Sequence, residues 1–384
     1  MDIVRRAGSR FDALDQLRGL IIVLMAIDHA SYFISKVHPA EFWGTPLPQY
    51  DSAAAFLTRF VTHLSAPGFF WLMGASVVFA ATARRREGWS DGRVARHLVT
   101  RGLLLILLQH LIENPAWLLG TIGVGAIVAP PPGGGGAVML HFGVLYGLGA
   151  AMILCSVLLS APSLLLAVLG AAAILVTQVV IPRPEAAATL YSPFLRLLVI
   201  PGHTNAWQVF YPVLPWFGVA ALGMVFARAV QHSPARALSR AWVIGLVCLA
   251  AFVLVRVLGG FGNIHPVDGP GWIAFLNVTK YPPSLAFLLL TLGLDLILLS
   301  ALNAAGGWLR GQNSPLLVFG QTALAFYLLH LYTYALMGLF FSGGASRLTM
   351  YAGWLVGLVA LYPVCSRYRA FKQQKSPDSL WRLF

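Results

Sequence analysis

An arginine and a histidine on one face of an apolar helix are an uncommon pair. The stretch DQLRGLIIVLMAIDH (residues 15–29) contains one. Ten residues separate Arg18 from His29. On an α-helix that spacing turns through about 1100°, roughly 20° past three full turns, and rises roughly 16 Å. Both side chains therefore share a stripe, with the cation near a membrane surface and the imidazole well inside. A guanidinium pairs bidentately with phosphate. A histidine titrating near pH ~6.5 can take a proton from a hydroxyl or an ammonium group. Ionisable groups at that depth are costly, and they mark functional sites; the plainer alternative is a polar helix–helix contact. Asp28 adjoins His29 but points about 100° away, so an orienting partner for the imidazole must come from another helix. For Asp28 itself, a catalytic role and a role in ordering water or a neighbouring helix both stay open. Pairing of Arg18 with Asp15 at i,i+3 is expected and is compatible with ligand binding.

These groups need a scaffold that holds them in the bilayer. The chain has 384 residues, 58% hydrophobic and only 10% charged, with mean hydropathy +0.76. A soluble domain carries about 25% charged residues. The composition describes an all-α integral membrane protein: a polytopic bundle of about ten transmembrane helices, forming a single domain over 1–384. Spans are expected at about 17–35, 60–82, 102–128, 140–160, 163–182, 208–227, 241–259, 282–303, 315–340 and 349–366. Positive charge sets the orientation. If both termini are cytoplasmic, 19 of the 26 Lys and Arg residues fall inside, including the dense cluster between Arg84 and Arg101. The same placement accounts for the net charge of +13. No basic patch interleaved with aromatics points to nucleic acid. Arginine outnumbers lysine, a compositional hint of a GC-rich bacterial genome, so the expected location is the bacterial cytoplasmic (inner) membrane.

Other features carry less. Cys155, Cys248 and Cys365 stand singly in apolar runs, which gives neither a disulfide framework nor metal spacing. PPPGGGG (130–136) is expected as an outer turn; no Gly-Lys-Ser/Thr follows to make it a phosphate loop. Pro67 is expected to kink the second span, whose small residues Gly68, Gly74 and Ala75 allow close helix approach. Further candidate bases are His63, near the outer end of that span, and His38, in the first outer loop. His110 with Glu113, Asp295 and His330 are intramembrane polar groups that either line a cavity or close buried hydrogen bonds. Lys280 sits at an outer boundary, where it either snorkels or contacts an anionic acceptor. The loop 260–281 is expected to cover the site.

Arg-x10-His on a first transmembrane helix resembles the membrane acyltransferases of the O-antigen acetylase type. More of the chain resembles the heparan-α-glucosaminide N-acetyltransferase catalytic-domain proteins. The matching pieces are LRGLIIVLMAIDHA (17–30), FLTRFVTHLSAPGFFWLMGAS (56–76), YPVLPWFGVAALG (211–223), NVTKYPPSLAFLLLTLG (277–293) and FGQTALAFYLLH (319–330). They occur in family order over nearly the whole chain.

The resemblance implies acetyl transfer from cytosolic acetyl-CoA to a hydroxyl or amino group of an extracytoplasmic sugar or glycan. The partners are then membrane lipid, a CoA thioester and that acceptor, with no metal. Such an enzyme needs cations for the CoA phosphates, a channel for the pantetheine arm, and a base where thioester meets acceptor. Arg18 and the cluster headed by Arg84, Arg85 and Arg86 suit the first need, although topology alone also explains each clustered arginine. His29 suits the last. In eukaryotic relatives an asparagine stands at the place of His29, and a histidine shortly after the first helix is the catalytic candidate. His38 could match that histidine. The rival reading is a non-enzymatic transporter or exporter, which would show broken helices, paired repeats and an ion site.

Overall fold

The computed structural model describes residues 2–121, 140–183, 186, 191–203, 207–305, 311, 313–376 and 379–382. PPPGGGG lies outside them. Among the described residues eight helices are long and apolar enough to cross a membrane. They are Asp12–Ser35, Ala53–Arg86, Asp91–Gly120, Ser163–Val180, Val213–His232, Pro234–Leu258, Leu285–Ala304 and Arg347–Gln373. A ninth is counted if a bent pair forms one span: Pro315–Gln321 and Ala323–Gly338 meet at 99°, the geometry of a broken span or a re-entrant loop. The remaining expected span is the apolar helix Val144–Val157. Its 14 residues give about 21 Å, short of the roughly 30 Å hydrocarbon core. The protein is thus all-helical and polytopic, with a small sheet added. Leu140–Phe142 pairs in parallel with Trp207–Val209, which pairs antiparallel with Gly202–His203.

Three helices break regularity where site residues lie. The first helix ends in a wide π turn over Ser31–Ser35. Lys36 closes it in the left-handed region, and its ammonium donates to the carbonyls of Phe33 (2.7 Å) and Gly338 (3.3 Å). In the second span Pro67 lies in the first turn of Ser65–Arg86, behind a 3₁₀ turn over Val61–Leu64. Proline has no N–H to offer the carbonyl four residues back, here that of His63, so the irregularity falls on the histidine itself. The third span carries a π turn over Gln109–Glu113 just before Pro115. Such turns reset the direction of the side chains that follow.

Glycines set the closest helix contacts. A Cβ on Gly19 would strike the Leu316 carbonyl, and one on Gly320 that of Asp15. The half-helix Pro315–Gln321 therefore lies backbone-to-backbone on the first helix. Gly74 packs in the same way on Ala220, and Gly223 on Trp71. The large apolar side chains left exposed, such as Val247, Leu254, Val257 and Val359, lie on the spanning helices, where lipid would cover them.

The loop after Leu258 is held by one buried residue. Arg256 Nε donates to the Phe275 carbonyl (2.8 Å), and Nη1 to Asn263 Oδ1 (2.8 Å) and the His265 carbonyl (3.0 Å). Its Nη2 reaches the carbonyls of Ala274 (2.9 Å) and Asn277 (3.1 Å). This anchoring brings Lys280 and Tyr281 against the loop that follows the first helix, where both backbone N–H groups donate to the Glu41 carbonyl. The loop thus lies beside the residues described next.

Candidate active site

At the end of the first helix away from Arg18, Arg59 gathers two carboxylates that are distant in sequence. Its Nε and Nη2 donate to Glu41 Oε1 (2.8 Å) and Oε2 (2.7 Å). Its Nη1 donates to Asp28 Oδ1 at 2.6 Å. All three side chains are buried. A buried ion pair is worth having only when its geometry is good and its remaining valences are filled, and this bidentate arrangement meets that condition. Each carboxylate also faces a histidine. His38 Nε2 lies 3.3 Å from Asp28 Oδ2, and His63 Nε2 lies 3.3 Å from Glu41 Oε1. The His63 contact lacks hydrogen-bond alignment. Burial pushes the Glu41 carboxyl up, but Arg59 and His63 outweigh it and hold the group well below the usual carboxylate range. Glu41 is therefore ionised at neutral pH. Its contribution to stability is present there and is lost only as pH falls below that range.

His29 takes its partner from another helix. Its Nδ1 lies 2.6 Å from His330 Nε2, and the rings stack with centroids 4.8 Å apart. His330 Nδ1 faces the Phe326 carbonyl at 3.0 Å. A carbonyl only accepts, so His330 Nδ1 carries the proton and its Nε2 is the acceptor. His29 Nδ1–H then donates to that atom, which leaves His29 Nε2 as the ring's basic nitrogen. Trp117 stands edge-on to His29 (5.2 Å) and also touches His38 (6.2 Å). The two candidate bases thus border one space.

A cavity of about 480 Å³ leads toward this pair. Its mouth holds Asp15, Arg18, Arg101, Lys372 and Arg382, and its deeper wall includes Ile22, Met25, Phe69, Met73 and Leu148. Arg18, Ile22 and Met25 are the helical stripe that His29 continues. The cavity reaches Tyr327, whose ring lies 6.1 Å from that of His29. Arg18 is also tied to the protein: it donates to Asp15 Oδ1 (2.5 Å), Ser76 Oγ (3.0 Å) and the Gly320 carbonyl (3.3 Å).

The structure brings Asp28, His38 and His63 into one network, with His29 beside it and Arg18 at the opposite end of the cavity. Arg84, Arg85 and Arg86 do not line the cavity. Arg84 bonds Glu87 and Arg85 bonds Asp91, while Arg84 and Arg93 both lie over Trp89. Arg59, Glu41, Tyr327 and Lys372 were not singled out by sequence. Arg59 and His63 at i,i+4 on one helical face are the one local signal that could have drawn notice.

Fold and site together define a class: a polytopic helical membrane protein with an ionisable site inside its spans. The family model for the heparan-alpha-glucosaminide N-acetyltransferase catalytic domain matches residues 10–256. The chain belongs to that family, whose name implies membrane acetyltransferase activity on glycans. The match carries Asp28, His29, His38, Glu41, Arg59 and His63, and ends before Lys280, Tyr327 and His330. No curated protein matches the chain.

Proposed function

We propose that the protein transfers an acetyl group from cytosolic acetyl-CoA to a hydroxyl or amino group of an extracytoplasmic sugar or glycan, with His29 as general base. The observation that carries this reading is the continuity of a cationic mouth, an apolar sleeve and the His29–His330 pair. Phosphates of CoA would lie among Arg18, Arg101, Lys372 and Arg382, with the pantetheine arm in the sleeve. The acceptor would approach from the side of Asp28, His38 and Arg59. His29 Nε2 takes the acceptor's proton as its oxygen or nitrogen attacks the thioester carbonyl. The C–S bond breaks, and the departing thiolate takes the proton from the His29 imidazolium, which restores the neutral base. His330 Nε2 accepts a hydrogen bond from His29 throughout and stabilises the imidazolium. His38, backed by Asp28, and His63, beside Glu41, are the rival bases.

Arg18→Ala should weaken CoA binding by about 10- to 100-fold, since a hydrogen bond to a charged group is worth about 1.5–3 kcal/mol. Calorimetry on purified protein measures it. A folded variant with unchanged affinity would remove Arg18 from the site. One observation favours the transporter alternative: the spanning segment broken at Thr322, a feature of transporter ion sites. Against it, the carbonyls freed at that break face side-chain cations: Gly320 accepts from Arg18 (3.3 Å) and Gln321 from Lys372 (3.5 Å). Absence of any CoA binding by wild-type protein would put transport ahead.

The orientation that this chemistry requires places both termini in the cytosol of a bacterial inner membrane. A cysteine introduced between residues 84 and 96 should resist an impermeant thiol reagent in intact cells. Labelling there, with control sites behaving normally, would reverse the topology.

A further inference from the structure

We infer that the Tyr327 hydroxyl donates the hydrogen bond that stabilises the thioester carbonyl oxygen during transfer. This rests on the acetyl-transfer reading above and adds to it a residue outside the family match. Two observations lead to it. First, of the rings packed on His29 (those of Trp117, Tyr327 and His330), only that of Tyr327 lines the cavity. Second, the other polar side chains lining the cavity, among the described residues, belong to its mouth: Asp15, Arg18, Ser76, Arg101, Gln321, Lys372 and Arg382.

A thioester lying in this apolar sleeve with its carbonyl carbon near His29 has its oxygen beside Tyr327. As the acceptor adds, that oxygen gains negative charge, and a preorganised donor in a dry site is worth more there than in water. Two neighbouring donors are already occupied, because the backbone N–H groups of Leu145 and Tyr146 point to Gln109 Oε1 (3.2 and 3.3 Å). Nearby, Trp117 Nε1 donates to Glu113 Oε1 at 3.3 Å, and Glu113 Oε2 is buried with no aligned partner. The π turn over Gln109–Glu113 sets the direction of this carboxyl. Tyr327 gives up no proton in the step: it donates a hydrogen bond to an oxygen that becomes negative and then neutral again as C–S breaks.

The test is Tyr327→Phe in the full-length protein, with acetyl-CoA and with S-ethyl-CoA, a thioether that lacks the carbonyl oxygen. Loss of one such donor typically costs about 10²–10³ in kcat. The expected result is that loss in kcat with both CoA compounds binding as they do to wild type. Unchanged kcat overturns the assignment. So does a defect confined to binding, shared by acetyl-CoA and the thioether, which would make Tyr327 a packing residue. If the phenylalanine variant does not fold, fluorotyrosine at position 327 keeps the ring and makes the phenol more acidic. The alkaline limb of the kcat profile should then move to lower pH. The titratable groups facing the phenol are Glu113 on the third span, His29 on the first and His330 on its own helix, with Tyr211 and Tyr281 beyond. None of these is altered by the fluorine, so an unmoved profile also overturns the assignment. If wild-type protein transfers no acetyl group, the acetyltransferase reading falls; if wild type transfers and these variants match it, only the role of Tyr327 falls.

Discussion

His29→Asn should lower acetyl transfer by about 10²–10⁴-fold, the usual contribution of a general base, while acetyl-CoA still binds. Asparagine keeps a side-chain donor toward His330 Nε2, 2.6 Å from the native imidazole, but it cannot take a proton at neutral pH. The substitution therefore separates holding the pair together from accepting the acceptor's proton. His38→Ala and His63→Ala belong beside it, because each of those rings faces a carboxylate and either could serve as base. The account expects smaller losses from both. A His29→Asn protein with near-normal turnover, beside a dead His38→Ala protein, would move the base to the Asp28–His38 pair. His29 would then be a positioning residue.

Arg59→Met should destabilise the protein by about 3–5 kcal/mol, the cost of leaving buried ionic partners uncompensated. Two carboxylates lose their cation here rather than one, since Arg59 bonds both Asp28 and Glu41. The triple variant Asp28→Asn, Glu41→Gln, Arg59→Met removes all three charges and should regain much of the loss in thermal midpoint. Melting in detergent by loss of the monodisperse peak reads both proteins. An Arg59→Met protein that melts with wild type would mean that the three groups are hydrated and that the site they form is open to water.

Much of this architecture was legible from hydropathy, because lipid demands long apolar helices and nearly every spanning segment has one. The stripe from Arg18 through Ile22 and Met25 to His29 was legible too, since it depends only on helical period. What sequence could not place were contacts closed across the fold. His330 lies 301 positions from His29, and Glu41 reaches Arg59 from a loop with no regular periodicity. The break at Thr322 also left little trace: no proline or glycine occupies that position, although Gly320 precedes it. Its cause is tertiary, the close seating of Pro315–Gln321 on Gly19 and Asp15. Within the arginine cluster from 84 to 101, sequence could not say which member faces the cavity: Arg84 and Arg85 bond acids in their own loop, and Arg101, on the next helix, lines it.

The most direct test of the central claim is acetyl transfer by the purified protein. Wild-type and His29→Asn proteins in nanodiscs would be given acetyl-CoA labelled in the acetyl group, with amino-sugar and hydroxyl-bearing glycan acceptors. The account predicts label on an acceptor and stoichiometric free CoA thiol with wild type, and neither with His29→Asn, although both proteins bind CoA. Wild-type protein that binds no CoA and labels no acceptor, while moving a glycan across a membrane, would contradict it.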